Sequence, residues 1–297
     1  MQCFSCKNKV LFIFNTRDYV SGKFFKIYRC KICHIDFPDP RPFLINKYYP
    51  KQYRKYPYLI KLIFNFFYSN LAKKIDSYFG YKKKILIEIG CGDGLMLSKF
   101  KNLGWEVFGT ERNIEIRKNN LFNISTRSLN SFNNNFFDLI FLNNSFEHIH
   151  NFNSLLLNFK KKIKKNGYLI LNIPSTNSFQ YKVGAGSWFH LDVPRHLQIF
   201  DDKFFLNFSK KYNFKISINR SIGIFWEFYG WFQTLNNKFF NNRNLFFQSL
   251  ISFRKFKKYF FLGIVQFFIF FIPCFFLTIY SFLSNKGSIK NFVLIKN

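Results

Sequence analysis

Apolar positions in this chain fall into short runs separated by stretches of helical spacing. Ile85-Leu86-Ile87, Trp105–Thr110, Phe137–Leu142 and Tyr168–Ile173 are compact runs rich in β-branched and aromatic residues, the pattern of buried strands. Between them, Leu95–Phe100 and a Leu- and Lys-rich stretch over 154–165 read as helices, the second stopped by Asn166-Gly167. Strands and helices alternating at this rhythm predict an α/β fold with a parallel, doubly wound, Rossmann-like sheet. A ligand of such a sheet binds above the carboxyl ends of the strands. Outside this block, Val10–Phe14 and Phe24–Tyr28 around Ser21-Gly22 predict a hairpin. Residues 58–79 predict an amphipathic lead-in helix capping the ligand site (Leu59, Leu62, Ile63, Phe66, Phe67, Leu71). Residues 213–220 and 288–296 predict strands.

The sharpest chemical signal lies where the first of these strands ends. Glu88-Ile89-Gly90-Cys91-Gly92-Asp93-Gly94 sets three alternate glycines after a carboxylate, directly before a helix. Glycine lets the chain turn sharply and lets a ligand touch bare backbone, and the helix N-terminus offers free N–H groups. The spacing is not G-x-G-x-x-G and no Lys-Ser/Thr follows, which excludes a P-loop and makes a poor dinucleotide fingerprint. A nucleoside ligand also needs an acidic anchor at the end of the next strand, and Glu111 stands there, about 20 residues on.

With EIGCGDG, Glu111, FDLIFLNNSFEHIHN and KKNGYLILNIPS in order, residues 81–220 resemble the core of class I S-adenosylmethionine-dependent methyltransferases. The resemblance implies that Gly90, Gly92 and Gly94, with Cys91 and Asp93 between them, line the cofactor. It implies that Glu111 accepts from the ribose hydroxyls, that Asn143 flanks the sulfonium, and that Glu88 reaches the methionine end. It also implies that the strand over 288–296 is the last of the sheet, antiparallel to its neighbour over 213–220.

Cys3-x-x-Cys6 and Cys30-x-x-Cys33 form two knuckles separated by 23 residues. Two such pairs on a hairpin bring four thiolates to the corners of a tetrahedron, the closed geometry of structural zinc, with no position left open for catalysis. Disulfides are the alternative, disfavoured without a secretory signal; the first residues lack the apolar stretch of one. His34 reads as a surface residue, and Cys91 and Cys274 as small fillers. An N-terminal zinc ribbon ahead of a methyltransferase core resembles a subgroup tied to cell-surface polysaccharides and sugar nucleotides.

Acceptor chemistry has to come from loops beyond the strand ends. His148 follows Glu147 after the third run. His190, Arg195 and His196 lie in Trp188-x-x-x-Asp192-x-Pro194-Arg195-His196-Leu197, which resembles a signature of that subgroup, a loop expected to close over the substrate. Methyl transfer needs alignment and, for a hydroxyl nucleophile, a base, for which histidine's pKa is suited. His148 and His196 are the candidate bases, His190 a further candidate, and Arg195 is expected to orient an anionic group. An E-x-x-E-H magnesium site would resemble some O-methyltransferases, but Asn144 replaces its first carboxylate.

With 45 basic against 15 acidic residues the net charge is +30, which would suit nucleic acid or an anionic membrane. The excess of Lys, Asn, Ile and Phe is also what AT-rich coding produces, no RNA-recognition signature accompanies it, and nucleic acid is not expected. Tyr259–Leu283 carries no charge and meets the length criterion for a spanning helix, flanked by Arg254, Lys255, Lys257, Lys258 and Lys286. Pro273 in its middle, and a core strand after it, predict a Pro-broken hairpin that dips into the membrane and returns; the alternative is an apolar helical pair packed on the core or in a dimer. The expected organisation is a zinc ribbon at 1–40, linker and lead-in helix at 41–80, core at 81–221, membrane-associated insertion at 222–285 and last strand at 286–297. The expected function is O-methylation of a sugar or glycolipid precursor at the inner face of the cytoplasmic membrane. Competing readings are C-methylation of a nucleotide sugar, RNA methylation and a non-catalytic scaffold.

Overall fold

The computed structural model describes residues 1–49, 58–80, 84–113, 128–241, 244–251 and 253–297. Residues 50–57 of the expected linker and Lys82-Lys83 lie outside the described residues. The first elements are β1 (Leu11–Arg17), β2 (Phe24–Cys30), β3 (Ile35–Asp39), α1 (Tyr58–Asp76), β4 (Ile85–Ile89), α2 (Leu95–Asn102) and β5 (Glu106–Thr110). Next come β6 (Phe137–Asn143), α3 (Phe152–Lys162), β7 (Ile163–Pro174), α4 (Phe179–Gly184), β8 (Ile199–Phe200) and α5 (Asp202–Tyr212). The chain closes with β9 (Phe214–Ser221), α6 (Ile224–Phe240), α7 (Leu245–Ile251), α8 (Phe253–Leu283) and β10 (Ile289–Lys296). The residues gather into two compact units.

One unit comprises Tyr58–Ile173, Asn207–Asn219 and Asn291–Asn297. Its strands belong to a six-stranded sheet in the order β5-β4-β6-β7-β10-β9. β5, β4, β6 and β7 run parallel, as the alternation of strands and helices requires. Leu86, Met96, Leu97, Phe100, Trp105, Leu139, Phe141 and Ile170 form the core on one face. β10 reverses direction: Ser175 N–H donates to Ser288 O, and three residues earlier on β7 Asn172 meets Asn291. It is also antiparallel to β9, since Ile222 N–H donates to Ile289 O at one end and Asn297 N–H to Asn213 O at the other. The last strand thus has the direction expected of it.

Two local expectations need correction. The helix stop at Asn166-Gly167 is instead a left-handed kink inside β7, with Asn166 at φ 60°. α3 already ends at Lys162, and pairing jumps from Ile163 opposite Phe137 to Tyr168 opposite Leu139. Gly167 is needed there because a Cβ would lie 3.1 Å from Asp138 O and 2.7 Å from Ile163 Cγ2. The lead-in helix α1 is buried only along its second half, where Ala72 and Ile75 enter the core; Leu62, Ile63 and Phe66 are exposed.

The other unit comprises Met1–Pro57, Pro174–Leu206 and Arg220–Lys290. β1 and β2 form the expected antiparallel hairpin, and the ribbon sheet continues through β3 to β8. Phe25 and Ile27 of the ribbon and Tyr48 beyond it share a core with Tyr181, Trp188, Leu191, Val193 and Ile199. In the same unit α6 packs on α8 through Trp231, Phe232, Leu235, Phe270 and Cys274. The predicted break at Pro273 does not occur: α8 runs through it as one helix and departs from helical geometry only at Phe256. Proline forfeits one backbone bond, and the remaining turns carry the helix across. In sequence, β9 ends at Ser221 and β10 begins at Ile289.

Beside the apolar seam between α6 and α8 the helical pair buries polar side chains, and it exposes apolar ones. The buried stripe of α8 includes Gln266, Thr278 and Ser281, while Phe268, Ile269, Ile272, Phe275 and Phe276 are exposed. In α6, Glu227, Gln233, Thr234, Asn236 and Asn237 are buried, while Phe225, Phe239 and Phe240 are exposed. Phe256–Leu283 is long and apolar enough to cross a membrane, and only 17% of its most apolar window is buried.

Candidate active site

The loop between β4 and α2 is made possible by its glycines. Gly90, Gly92 and Gly94 take φ 77°, 58° and 86°, the left-handed region that side chains disfavour. Gly90 has no room for more than hydrogen, since a Cβ would sit 2.8 Å from the Cβ of Ser145. Its N–H and that of Cys91 both donate to Thr110 O, at 2.8 and 3.0 Å, tying the loop to the end of β5. Gly94 caps α2, and Asp93 Oδ1 accepts from Leu95 N–H at 3.1 Å. Cys91 contributes only backbone to the loop surface: its side chain is buried in the core. Burial first, then the nearby Glu88, Glu111 and Asp93 carboxylates, push its thiol well up, so it stays protonated. Glu88 is buried on β4.

Glu111 closes the loop from β5. Its Oε2 accepts from Gly92 N–H at 2.9 Å and its Oε1 from Asn113 N–H at 2.8 Å. The carboxylate therefore faces the glycine cradle, with both oxygens set to accept. An acceptor pair beside bare backbone is what the donating hydroxyls of a ribose diol and a closely seated adenosyl group require, and the residues present fit such a cofactor.

Asn143 ends β6 on the same carboxyl edge, and His148 lies half-buried in the single helical turn that follows, Phe146–His148. Ser145 Oγ donates to Ile89 O at 2.6 Å, locking this turn to the glycine loop. Asn144 takes φ 49°, which Asn tolerates and Glu does not favour, a local reason for the missing first carboxylate of a magnesium motif.

In the other unit, the segment expected to be a closing loop is core. Trp188, Leu191, Val193, Arg195, His196 and Leu197 are all buried. The role expected of Arg195 needs correction for the same reason. Its guanidinium is fully buried and donates to Asp192 Oδ1, Asp18 Oδ1 and Tyr48 O at 2.8, 2.8 and 2.7 Å. Arg195 therefore bolts the ribbon hairpin to this segment instead of orienting a substrate anion. His196 is placed by a contact between Nδ1 and His190 O at 2.9 Å. With Nδ1 donating, Nε2 is the basic nitrogen, and burial lowers the imidazole's pKa so that it is neutral at pH 7. His190 itself is half-buried, and its desolvation lowers its pKa to about 3.

Cys3, Cys6, Cys30 and Cys33 converge, their sulfurs all within 4.8 Å of one another. Cys3–Cys33 and Cys6–Cys30 are 4.0 and 3.5 Å apart. Thiolates about 2.3 Å from a tetrahedral zinc stand about 3.8 Å from each other, whereas a disulfide needs about 2.05 Å. His34 turns to Asp201 at 3.1 Å.

Two positions that hold the site together escape sequence reasoning. Ser145 looks like any loop serine until Gly90 is seen against it. Gly109 lies inside β5, where a Cβ would come within 2.5 Å of Cys91 Sγ and 3.0 Å of Leu97 Cδ1. A glycine in a strand interior is itself a sign of close approach, and that signal was available in the sequence.

A family profile described as a methyltransferase domain matches residues 64–217. Among solved structures, a putative sarcosine dimethylglycine methyltransferase from Galdieria sulphuraria superposes with a TM-score of 0.51 at 12% identity, over 77% of this chain and 85% of that one. A SAM-dependent methyltransferase from Archaeoglobus fulgidus gives 0.48 at 15% identity, over 78% and 94%. Coclaurine N-methyltransferase bound to N-methylheliamine and SAH gives 0.45 at 16%, over 80% and 70%. No curated protein matches the chain.

Proposed function

The chain belongs to the class I S-adenosylmethionine-dependent methyltransferases, and on that premise we propose that it methylates a hydroxyl of a sugar, as part of a glycolipid or polysaccharide precursor, at the inner face of the cytoplasmic membrane. S-adenosylmethionine supplies an electrophilic methyl on a sulfonium. On this reading Gly90, Gly92 and Gly94 receive the cofactor on backbone, Glu111 accepts from its ribose hydroxyls, Glu88 serves the methionine end, and Asn143 lies beside the sulfonium. His196 takes the hydroxyl's proton at Nε2, with Nδ1 held on His190 O; His148 is the competing base. The four cysteines hold one structural Zn²⁺, which stiffens the ribbon and takes no part in the chemistry.

The observation that carries the acceptor class is the helical pair α6 and α8, which lies in sequence between β9 and β10 and exposes Phe268, Ile269, Ile272, Phe275 and Phe276. A surface of Phe and Ile, with the polar side chains of the pair turned inward beside its apolar seam, suits hydrocarbon. α8 from Phe256 is 28 residues long, and at 1.5 Å per residue it would reach about 42 Å, more than the hydrocarbon core of about 30 Å. Lys257 and Lys258 are exposed at one end, where anionic headgroups would meet them. A chain held at the bilayer by this pair meets membrane-held acceptors first, so a membrane-held sugar is the acceptor that this reading favours.

Purified protein given S-adenosylmethionine labelled on the methyl group, with vesicles carrying lipid-linked sugars, soluble nucleotide sugars or RNA in parallel, tests this reading. Label in the lipid-linked fraction is expected; label confined to nucleotide sugars or RNA would overturn the acceptor class. Flotation with anionic vesicles tests the membrane contact, which Phe268→Asp combined with Ile272→Asp should abolish; unchanged flotation would contradict it.

A further inference from the structure

Three carboxamides stand in line across neighbouring strands. Asn143 Oδ1 accepts from Asn172 Nδ2 at 3.1 Å, and Asn172 Oδ1 accepts from Asn291 Nδ2 at 2.7 Å. β6, β7 and β10 lie side by side in that order, and Asn143 and Asn172 are register partners. Asn172 O also accepts from Asn144 N–H at 2.8 Å, so Asn172 grips the end of β6 through backbone and side chain together. Asn172 and Asn291 are buried, and their strand neighbours Leu171, Ile173, Phe292 and Val293 are apolar core residues. Valine or leucine at 172 and 291 would fill the same places without stripping two amides of water.

We propose that Asn172 and Asn291 are positioning residues, which through this amide ladder fix the plane of the Asn143 carboxamide at the catalytic edge. The proposal rests on the reading that Asn143 flanks the cofactor's sulfonium. A carboxamide at the end of a strand would otherwise turn freely about its last bond, presenting oxygen or nitrogen in turn. With Oδ1 held by Asn172, one face of the amide is committed, and Asn291 holds Asn172 in the orientation that does so. A fixed dipole beside the sulfonium distinguishes a charged ligand from its neutral thioether product, whereas damage to the fold weakens both alike.

The test is calorimetry of S-adenosylmethionine and S-adenosylhomocysteine with Asn143→Ala, Asn172→Leu, Asn291→Leu and the pair Asn143→Ala/Asn172→Leu, alongside melting temperatures. Loss of one oriented amide should change the ratio of the two affinities about fivefold in Asn143→Ala and in Asn172→Leu, in the same direction. Asn291→Leu should change it by less, affinity for the thioether should stay within about twofold, and the double variant should match Asn143→Ala alone. Asn291→Leu alone carries the test if Asn172→Leu does not fold. An altered ratio in Asn143→Ala with none in Asn172→Leu or Asn291→Leu would overturn the ladder. Equal weakening of both ligands in the leucine variants would mark a structural role and overturn it as well. An unaltered ratio in Asn143→Ala would instead overturn the place of Asn143 beside the sulfonium, and the ladder's role with it.

Discussion

Gly92 donates its backbone N–H to the Glu111 carboxylate at 2.9 Å across 19 positions of sequence. Glu111→Gln keeps the size and loses the charge, leaving weaker acceptors for ribose hydroxyls. Hydrogen bonds to charged groups contribute about 1.5–3 kcal/mol, so affinity for S-adenosylhomocysteine should fall about 10- to 100-fold. Calorimetry checks this, and affinity within about twofold of the parent's would remove Glu111 from the ribose.

Gly109 and Cys91 make a second pair that can be tested by complementation. Gly109→Ala drives a methyl into Cys91 Sγ and should destabilise the protein by about 1–3 kcal/mol. Cys91→Ala removes the obstructing sulfur, so the double variant should regain much of that loss in urea unfolding. Additive losses would mean that the two side chains do not meet.

Breaking the buried Arg195 cluster should be costly. Arg195→Met leaves Asp18 and Asp192 without their partner, for an expected loss of about 3–5 kcal/mol. Adding Asp18→Asn to that variant should cost less than the sum of the two single losses. A stability change under about 0.5 kcal/mol would restore Arg195 as a candidate for substrate binding.

Acid sensitivity follows from buried His196 and half-buried His190. Burial lowers the pKa of His190 to about 3 and also lowers that of His196, against an unfolded value of about 6.5. The folded state therefore binds fewer protons than the unfolded chain below pH 6.5. Stability from these groups is complete above pH 6.5 and declines as the pH falls toward 3, by at most about 1.4 kcal/mol per unit for each. Urea unfolding at pH 7.5 and pH 5 should show the decline, and His190→Gln should reduce it. A flat profile would contradict the burial of neutral imidazoles.

Much of this architecture could be read from the chain, because strand runs and the glycine loop are local patterns. Glu111 was legible from its distance to Gly90, and the cysteine knuckles from their spacing. What escaped depends on partners far away in sequence. Arg195 looks like an anion binder until Asp18, 177 positions earlier, is found against it. Pro273 suggests a break, yet packing along Phe270 and Cys274 against α6 holds one continuous helix. Asn166-Gly167 has the composition of a helix stop, but a left-handed residue serves a kink in a strand equally well.

The central claim is that bare backbone from Gly90 to Gly94, closed by Glu111, holds the adenosyl cofactor. Calorimetric titration of S-adenosylhomocysteine into the full-length protein and into Gly92→Val tests it most directly. One site per chain in the parent and none in a variant that keeps the parent's melting temperature is the predicted result. Equal affinity in the two proteins, or no binding by the parent, would contradict the account.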